Sequence, residues 1–330
     1  MPFMDLKFVM IFLFQICIGI LGNFSLLYHY VFLYLSGPRS RSTDLIFKHL
    51  TIANSLVILS RGIPETTAAF GLKDFLRDFG CKLVFSVHRV ARGVSMGTTC
   101  LLSIFQAIAI SPSNSKWAEL KVRALKFIGP TNILCWILNM LLNTMVPMHL
   151  TGKWNNKSIT KTIDFGYCSS KLHNKDTDLL FIVLVSSHDV LCLGHMTWAN
   201  GSMVSILYRH KQRVQKILGK NVSPRSSPLT KATQSILVLA STFVCFYTLS
   251  SIIYFYFIHV HKTIWWLVYT SALIKACFPT ASPFVLWRCV PCISRHLCVC
   301  TRKSAVTSSH QNNINSLIFI MFIPFCPHSS

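Results

Sequence analysis

The stretch Ala232-Thr-Gln-Ser-Ile-Leu-Val-Leu-Ala-Ser-Thr-Phe-Val-Cys-Phe-Tyr-Thr-Leu-Ser-Ser-Ile-Ile-Tyr-Phe-Tyr-Phe-Ile258 decides how this chain folds. It contains no charged residue. A helix needs roughly 20 mostly apolar residues to cross the hydrocarbon core of a bilayer, and this stretch exceeds that. Six more qualify on either side of it: Phe8–Tyr34, Leu45–Pro64, Leu83–Ile110, Phe127–Leu150, Leu179–Tyr208 and Ile264–Trp287. The second and third hold charges and are the weakest. Turn and charge signals fill the gaps, including Ser36-Gly37-Pro38-Arg39, Pro112 and the run from Gly219 to Pro228. The expected fold is an all-α membrane protein, a seven-transmembrane helix bundle.

Composition agrees. Hydrophobic residues make up 52% of the 330 and charged residues only 13%, about half the charged share of a soluble globule. The net charge of +22 could signal nucleic-acid binding. Its placement between apolar blocks points to basic loops instead, so no nucleic-acid partner is expected. Most of the 13 Cys lie in apolar stretches and read as small buried hydrophobes.

The basic residues also orient the chain. Eighteen lie in the segments on one side of the bundle, ten on the other, and Arg61, Arg89, Arg92 and Lys275 fall within spans. The heavier side is expected to be cytoplasmic. Residues 1–7 then form a short extracellular N-terminus, 8–287 the transmembrane domain and 288–330 a cytoplasmic tail. The first apolar block lacks a basic leader or a small-residue cleavage site and reads as a retained anchor. Of four N-x-[ST] matches, only Asn156 falls outside; a glycan or a chance match both fit it. Cys81 and Cys168 are the clearest thiols on the oxidising side, and a bridge or two free thiols both remain open.

Ionisable groups inside a membrane usually face the bundle interior or water. At 1.5 Å per residue, Arg92 lies roughly 16 Å below the outer end of its span, and Asp189 and Lys275 lie at similar depth. His88 and Arg92 share a helical face, as do Arg61 and Glu65. One reading is a cationic pocket in the outer half, lined by His88, Arg92, Asp189, Lys275, Arg61 and Glu65 and suited to an anionic or hydrogen-bond-accepting ligand. The other is internal pairing, with Asp189 neutralising Arg92. Arg89 is expected to face a neighbouring helix or the interface. Lys275 stands eight residues before Pro283, against seven for the retinal lysine of opsins. That offset turns it about 100° away, so no cofactor is expected. The sequence shows no metal-ligand cluster and no nucleophile–base–orienter set, so the chain is not expected to be an enzyme.

On the inner side, Arg209, Lys211, Arg213 and Lys216 extend the fifth span with basic residues, suited to anionic membrane lipid or to a docked protein. In the tail, Cys298 and Cys300 sit beside Arg302 and Lys303, a setting that suits palmitoylation.

Several long runs carry a family resemblance. They are Gly80–Pro112, Ser40-Arg-Ser-Thr-Asp-Leu45, Ser60-Arg-Gly-Ile-Pro64, Tyr208-Arg-His-Lys-Gln-Arg-Val-Gln215, Ala232–Ser251 and Cys277-Phe-Pro-Thr-Ala-Ser-Pro-Phe-Val-Leu286. Together they resemble the vomeronasal type-1 receptors, which sense pheromones, over roughly residues 8–303. The resemblance implies a rhodopsin-like G-protein-coupled receptor at the plasma membrane, with a pheromone-like small-molecule ligand and a heterotrimeric G protein of the Gi/o class as partners. It also implies a Cys81–Cys168 bridge, a glycan at Asn156, and G-protein contacts at the inner ends of the helices, at Gln106 and the basic end of the fifth span. Gln106-Ala-Ile-Ala-Ile-Ser-Pro112 stands where most rhodopsin-like receptors carry Asp-Arg-Tyr. His195, Asn200 and Lys275 depart from the family pattern, and the tail diverges after about residue 304. These departures keep open a receptor relic that no longer signals. A small-solute transporter or channel is the remaining alternative, opposed by the apolar inner halves of the spans.

Overall fold

The computed structural model describes residues 2–35, 42–69, 76, 78–111, 115–144, 150–151, 162–164, 169–171, 175–218, 228–259 and 265–287. They form seven helices: α1 (Pro2–Leu35), α2 (Ser42–Ala69), α3 (Asp78–Ile110), α4 (Ser115–Leu142), α5 (Lys175–Leu218), α6 (Pro228–His259) and α7 (Trp265–Trp287). The all-α, seven-helix expectation holds. The segment between α4 and α5 adds three short antiparallel strands, β1 (Leu150–Thr151), β2 (Thr162–Asp164) and β3 (Ser169–Lys171), in the order β1-β3-β2. Leu150 pairs with Ser170 and Thr162 with Lys171.

Several helix boundaries differ from expectation, and two have a local cause in the sequence. α1 starts at Pro2, so residues 2–7 belong to the helix; proline is well placed at a first helical position, where its missing N–H costs nothing. The apolar run carries the fourth span to Leu150, but α4 ends at Leu142 and Leu150 is in β1. Asn143 and Thr144 turn the chain, their N–H groups bonding to the carbonyls of Asn139 and Leu141. Pro147 ahead would have broken a longer helix.

Among the described residues, α1, α3, α4, α5 and α6 each hold a stretch long and apolar enough to cross a membrane. α2 is interrupted by Lys48, Arg61 and Glu65, and in α7 the apolar stretch Leu273–Trp287 is shorter. The bundle is apolar on its outside as well as in its core. Phe14, Val190, Trp198 and Ile252 are exposed, whereas Asn23, Asn54, Thr98 and Thr99 are buried, the arrangement expected when the solvent is lipid.

α3 is the central helix: 61% of its apolar window is buried, against 17–28% in the other four. It packs on α2, α4, α5 and α6, while α7 closes the ring against α1, α2 and α6. Small residues let α4 approach. A Cβ on Gly97 would stand 2.5 Å from the Cys135 sulfur, and one on Gly93 would collide with the Asn139 amide. Gly93-x-x-x-Gly97 is thus a close-packing face of the kind membrane helices use.

A buried polar chain ties four helices together at mid-bundle. Ser95 donates to Asn54 Oδ1 at 2.6 Å, and Asn54 Nδ2 donates to Ser282 Oγ at 2.7 Å. Pro283 lacks the N–H that would normally engage the carbonyl of Pro279 four residues back. That carbonyl instead accepts from Asn23 at 3.0 Å and from Ser282 at 3.3 Å. A sequence feature that weakens α7 as a helix therefore anchors it to α1.

Candidate functional site: a polar junction of three helices

The charged residues on the side of the bundle where α3 begins divide into two groups. In the first, Asp189 of α5 is the hub. Tyr247 of α6 donates its hydroxyl to Oδ2 at 2.5 Å, and Arg92 Nη2 of α3 lies 3.8 Å from the same oxygen. The Arg92 guanidinium also sits over the Tyr247 ring, 5.1 Å from its centroid, within cation–π range. His188 Nδ1 stands 3.5 Å from the other carboxylate oxygen. The Asp189 side chain is 16% exposed and Arg92 40%, so the carboxylate is enclosed while the guanidinium lines a cavity between α3, α4 and α5. Arg89 lines the same cavity and reaches the neighbouring helix, donating to Asn143 Oδ1 at 3.2 Å. The internal pairing of Arg92 with Asp189 is therefore present, without removing Arg92 from the cavity wall.

In the second group, Arg61 donates to Glu65 across one turn of α2 at 2.5 Å. His88 Nδ1 lies 3.4 Å from Ser60 Oγ. Lys275 of α7 joins Arg61, Glu65 and His88 around a separate cavity between α1, α2, α3 and α7. The six residues grouped in the sequence thus line two cavities: Arg92 and Asp189 one, His88, Lys275, Arg61 and Glu65 the other. His88 and Arg92, four residues apart, diverge because α3 is central and surrounded.

Near the C-terminal end of α3, Gln106 is buried and its Nε2 donates to Thr233 Oγ1 of α6 at 2.7 Å. In this arrangement it is a tie between α3 and α6 and presents no surface to a partner. Lys121 of α4 donates to the Ser111 carbonyl at 2.6 Å. Arg209 and Lys216 are exposed on α5, whose 44 residues run past the expected end at Tyr208. Lys211 and Arg213 lie on the same extension, with side chains outside the described set. Cys81 is buried at the start of α3 and disulfide-bonded. Cys168, Asn156, Cys298, Cys300 and the whole tail from 288 lie outside the described residues. The polar departures in α5 take different places: His195 is exposed on the outer face, its Nδ1 2.7 Å from the Leu191 carbonyl, and Asn200 is half-buried.

Sequence reasoning missed Tyr247, Gln15 and Ser60. The signal for Tyr247 is indirect: a buried carboxylate such as Asp189 needs donors, and a phenol in an otherwise apolar helix can supply one.

The model of the vomeronasal organ pheromone receptor family matches residues 6–299. The chain belongs to this family. It is 57% identical over 292 residues to vomeronasal type-1 receptor 2 of Homo sapiens, covering 88% of this chain and 74% of that one. It is 58% identical over 297 residues to vomeronasal type-1 receptor 3 of the same species, covering 88% and 93%. A more distant relative, olfactory receptor class A-like protein 1 of Danio rerio, is 29% identical over 276 residues, covering 83% and 86%. As a vomeronasal-type receptor the chain is a chemosensory, multi-pass membrane receptor of the G-protein-coupled kind.

Proposed function

We propose that this receptor takes a pheromone-like small molecule into the outer half of the bundle and activates a heterotrimeric G protein of the Gi/o class. The observation that carries the proposal is the Arg92–Asp189–Tyr247 junction, which joins α3, α5 and α6 at the wall of an outer cavity. A ligand that engages Arg92 competes with Asp189 for the guanidinium. Loosening that pair frees α6 to move relative to α3 and α5, and a ligand that favours the loosened arrangement shifts the population toward it. The inner Gln106–Thr233 tie then opens. Gln106 and the basic end of α5, at Arg209, Lys211, Arg213 and Lys216, meet the G protein, and the same basic residues contact anionic lipid.

The topology follows the positive charge: N-terminus outside and C-terminus inside, at the plasma membrane. Cys81 pairs with Cys168, which pins the outer segment over the mouth of the bundle, and Asn156 in that segment carries a glycan. Cys298 and Cys300 are palmitoylation sites at the inner membrane surface. Calcium imaging of tagged, surface-stained receptor against urinary and steroid ligands tests the reading. A ligand-evoked, pertussis-toxin-sensitive response supports it. Failure to reach the surface of vomeronasal neurons would identify a relic, and charged-solute flux without a G protein would identify a transporter.

A further inference from the structure

The cavity between α1, α2, α3 and α7 shares no lining residue with the one beside Arg92, and its polar atoms are only half satisfied. Gln15 donates through Nε2 to the Leu273 carbonyl at 3.1 Å and to Cys277 Sγ at 3.6 Å, yet its Oε1 is buried with no hydrogen-bond partner. Glu65 holds Arg61 through Oε1, and its Oε2 is likewise buried and unpartnered. Thr280 Oγ1 is a third such atom on the same wall. Buried polar atoms without partners are rare and mark a place where a partner belongs.

Charge in the cavity is also unbalanced. Arg61 is answered by Glu65, but the Lys275 ammonium makes no hydrogen bond or ion pair with any described residue. An ammonium at mid-bilayer calls for an anion. The unpartnered oxygens Glu65 Oε2 and Gln15 Oε1 call for a donor instead. Phe12 and Val57 supply apolar walls.

We propose that this cavity is a second ligand site that takes a short-chain hydroxy acid, its carboxylate on Lys275, its hydroxyl donating to the unpartnered Oε2 of Glu65, and its alkyl chain against Phe12 and Val57. The site assigns anion recognition to α7 and leaves Arg92 to the α3–α5–α6 junction. It rests on the receptor reading only for its effect on signalling, because binding can be measured without a G protein.

The test uses the purified full-length receptor in lipid nanodiscs, with β-hydroxyoctanoate, its methyl ester and octanoate as probes and thermal stabilisation as the readout. β-Hydroxyoctanoate should raise the melting temperature saturably, with the ester much weaker and octanoate between them. Lys275→Gln should weaken the apparent Kd for the acid at least roughly tenfold, since it removes a charge-assisted hydrogen bond, and Lys275→Arg should retain most of the affinity. Glu65→Gln, a second variant should Lys275→Gln fold poorly, should bring the hydroxy acid toward octanoate. Tyr247→Phe, at the α3–α5–α6 junction, should leave the acid's Kd unchanged. Equal stabilisation by acid and ester, no stabilisation by either, or an unchanged Kd in Lys275→Gln would overturn the site. Absent acid binding with intact G-protein activation by other ligands sinks this site alone. Acid binding without any G-protein activation sinks the signalling reading and leaves the site standing.

Discussion

Tyr247 of α6 donates its hydroxyl to Asp189 of α5 at 2.5 Å, and Asp189 lines the cavity between α3, α4 and α5. Arg92 of α3 touches both partners. The three side chains satisfy one another inside a low-dielectric bundle, so removing any one leaves a buried group short of its partner.

Tyr247→Phe keeps the ring over which Arg92 sits and deletes only the hydroxyl. A hydrogen bond to a charged group is worth about 1.5–3 kcal/mol. The variant should reach the surface, melt at a lower temperature in detergent than the parent, and show raised basal G-protein activation because α6 is less firmly held. Basal GTPγS binding, normalised to surface receptor, checks this. In a double-mutant cycle with Asp189→Asn, the coupling between the two positions should be clearly non-zero.

The inner tie makes a parallel prediction. Gln106→Leu removes the amide that donates to Thr233 at 2.7 Å. About 1 kcal/mol of closed-state preference would be lost, which corresponds to roughly a fivefold shift toward the open arrangement. Basal activity should rise without a change in ligand affinity larger than that factor. A fall in basal activity at normal surface level would show that Gln106 acts mainly as a contact for the G protein.

Close packing of α3 on α4 gives a folding prediction with its own control. Gly97→Val places atoms where the Cys135 sulfur already stands, whereas a Cβ at Gly201 meets nothing within 4 Å. Overpacking of this kind costs typically about 1–3 kcal/mol or more. Surface staining should fall sharply for Gly97→Val and stay near the parent for Gly201→Val. Equal staining of the two variants would contradict the crossing described here.

The outer segment can be checked by its covalent marks. Asn156→Gln should abolish the mobility shift that a glycosidase produces, which fixes the segment between α4 and α5 outside. Cys168→Ser should reduce surface delivery as much as Cys81→Ser does, and the double variant should be no worse than either single one, as expected of two thiols that form one bond.

The bundle itself was legible because each span had to satisfy a length and polarity rule that leaves few alternatives. Helix ends were less so. The end of α4 depends on Asn143 and Pro147, local signals that lie inside an apolar run and are outweighed by it. The site was legible as a list of buried ionisable residues and not as an arrangement. Pairing of Arg92 with Asp189 could be weighed from depth alone, but the parting of His88 from Arg92 could not. Both lie on nearly the same face of α3, and which neighbour each meets depends on how α3 is rotated within the ring. Gln106 shows the same limit. Its position near the inner end suggests a surface contact, whereas the packing of α6 turns it into a buried tie.

The most direct test of the central claim is ligand-evoked GTPγS binding to Gi/o in membranes carrying the full-length receptor, measured for the parent, Arg92→Ala and His88→Ala. Pertussis toxin should abolish the response, and Arg92→Ala should lose potency by roughly tenfold or more, since a charge-assisted contact at the junction is removed. A response that survives the toxin, or one that neither substitution alters for any active ligand, would contradict the proposed mechanism.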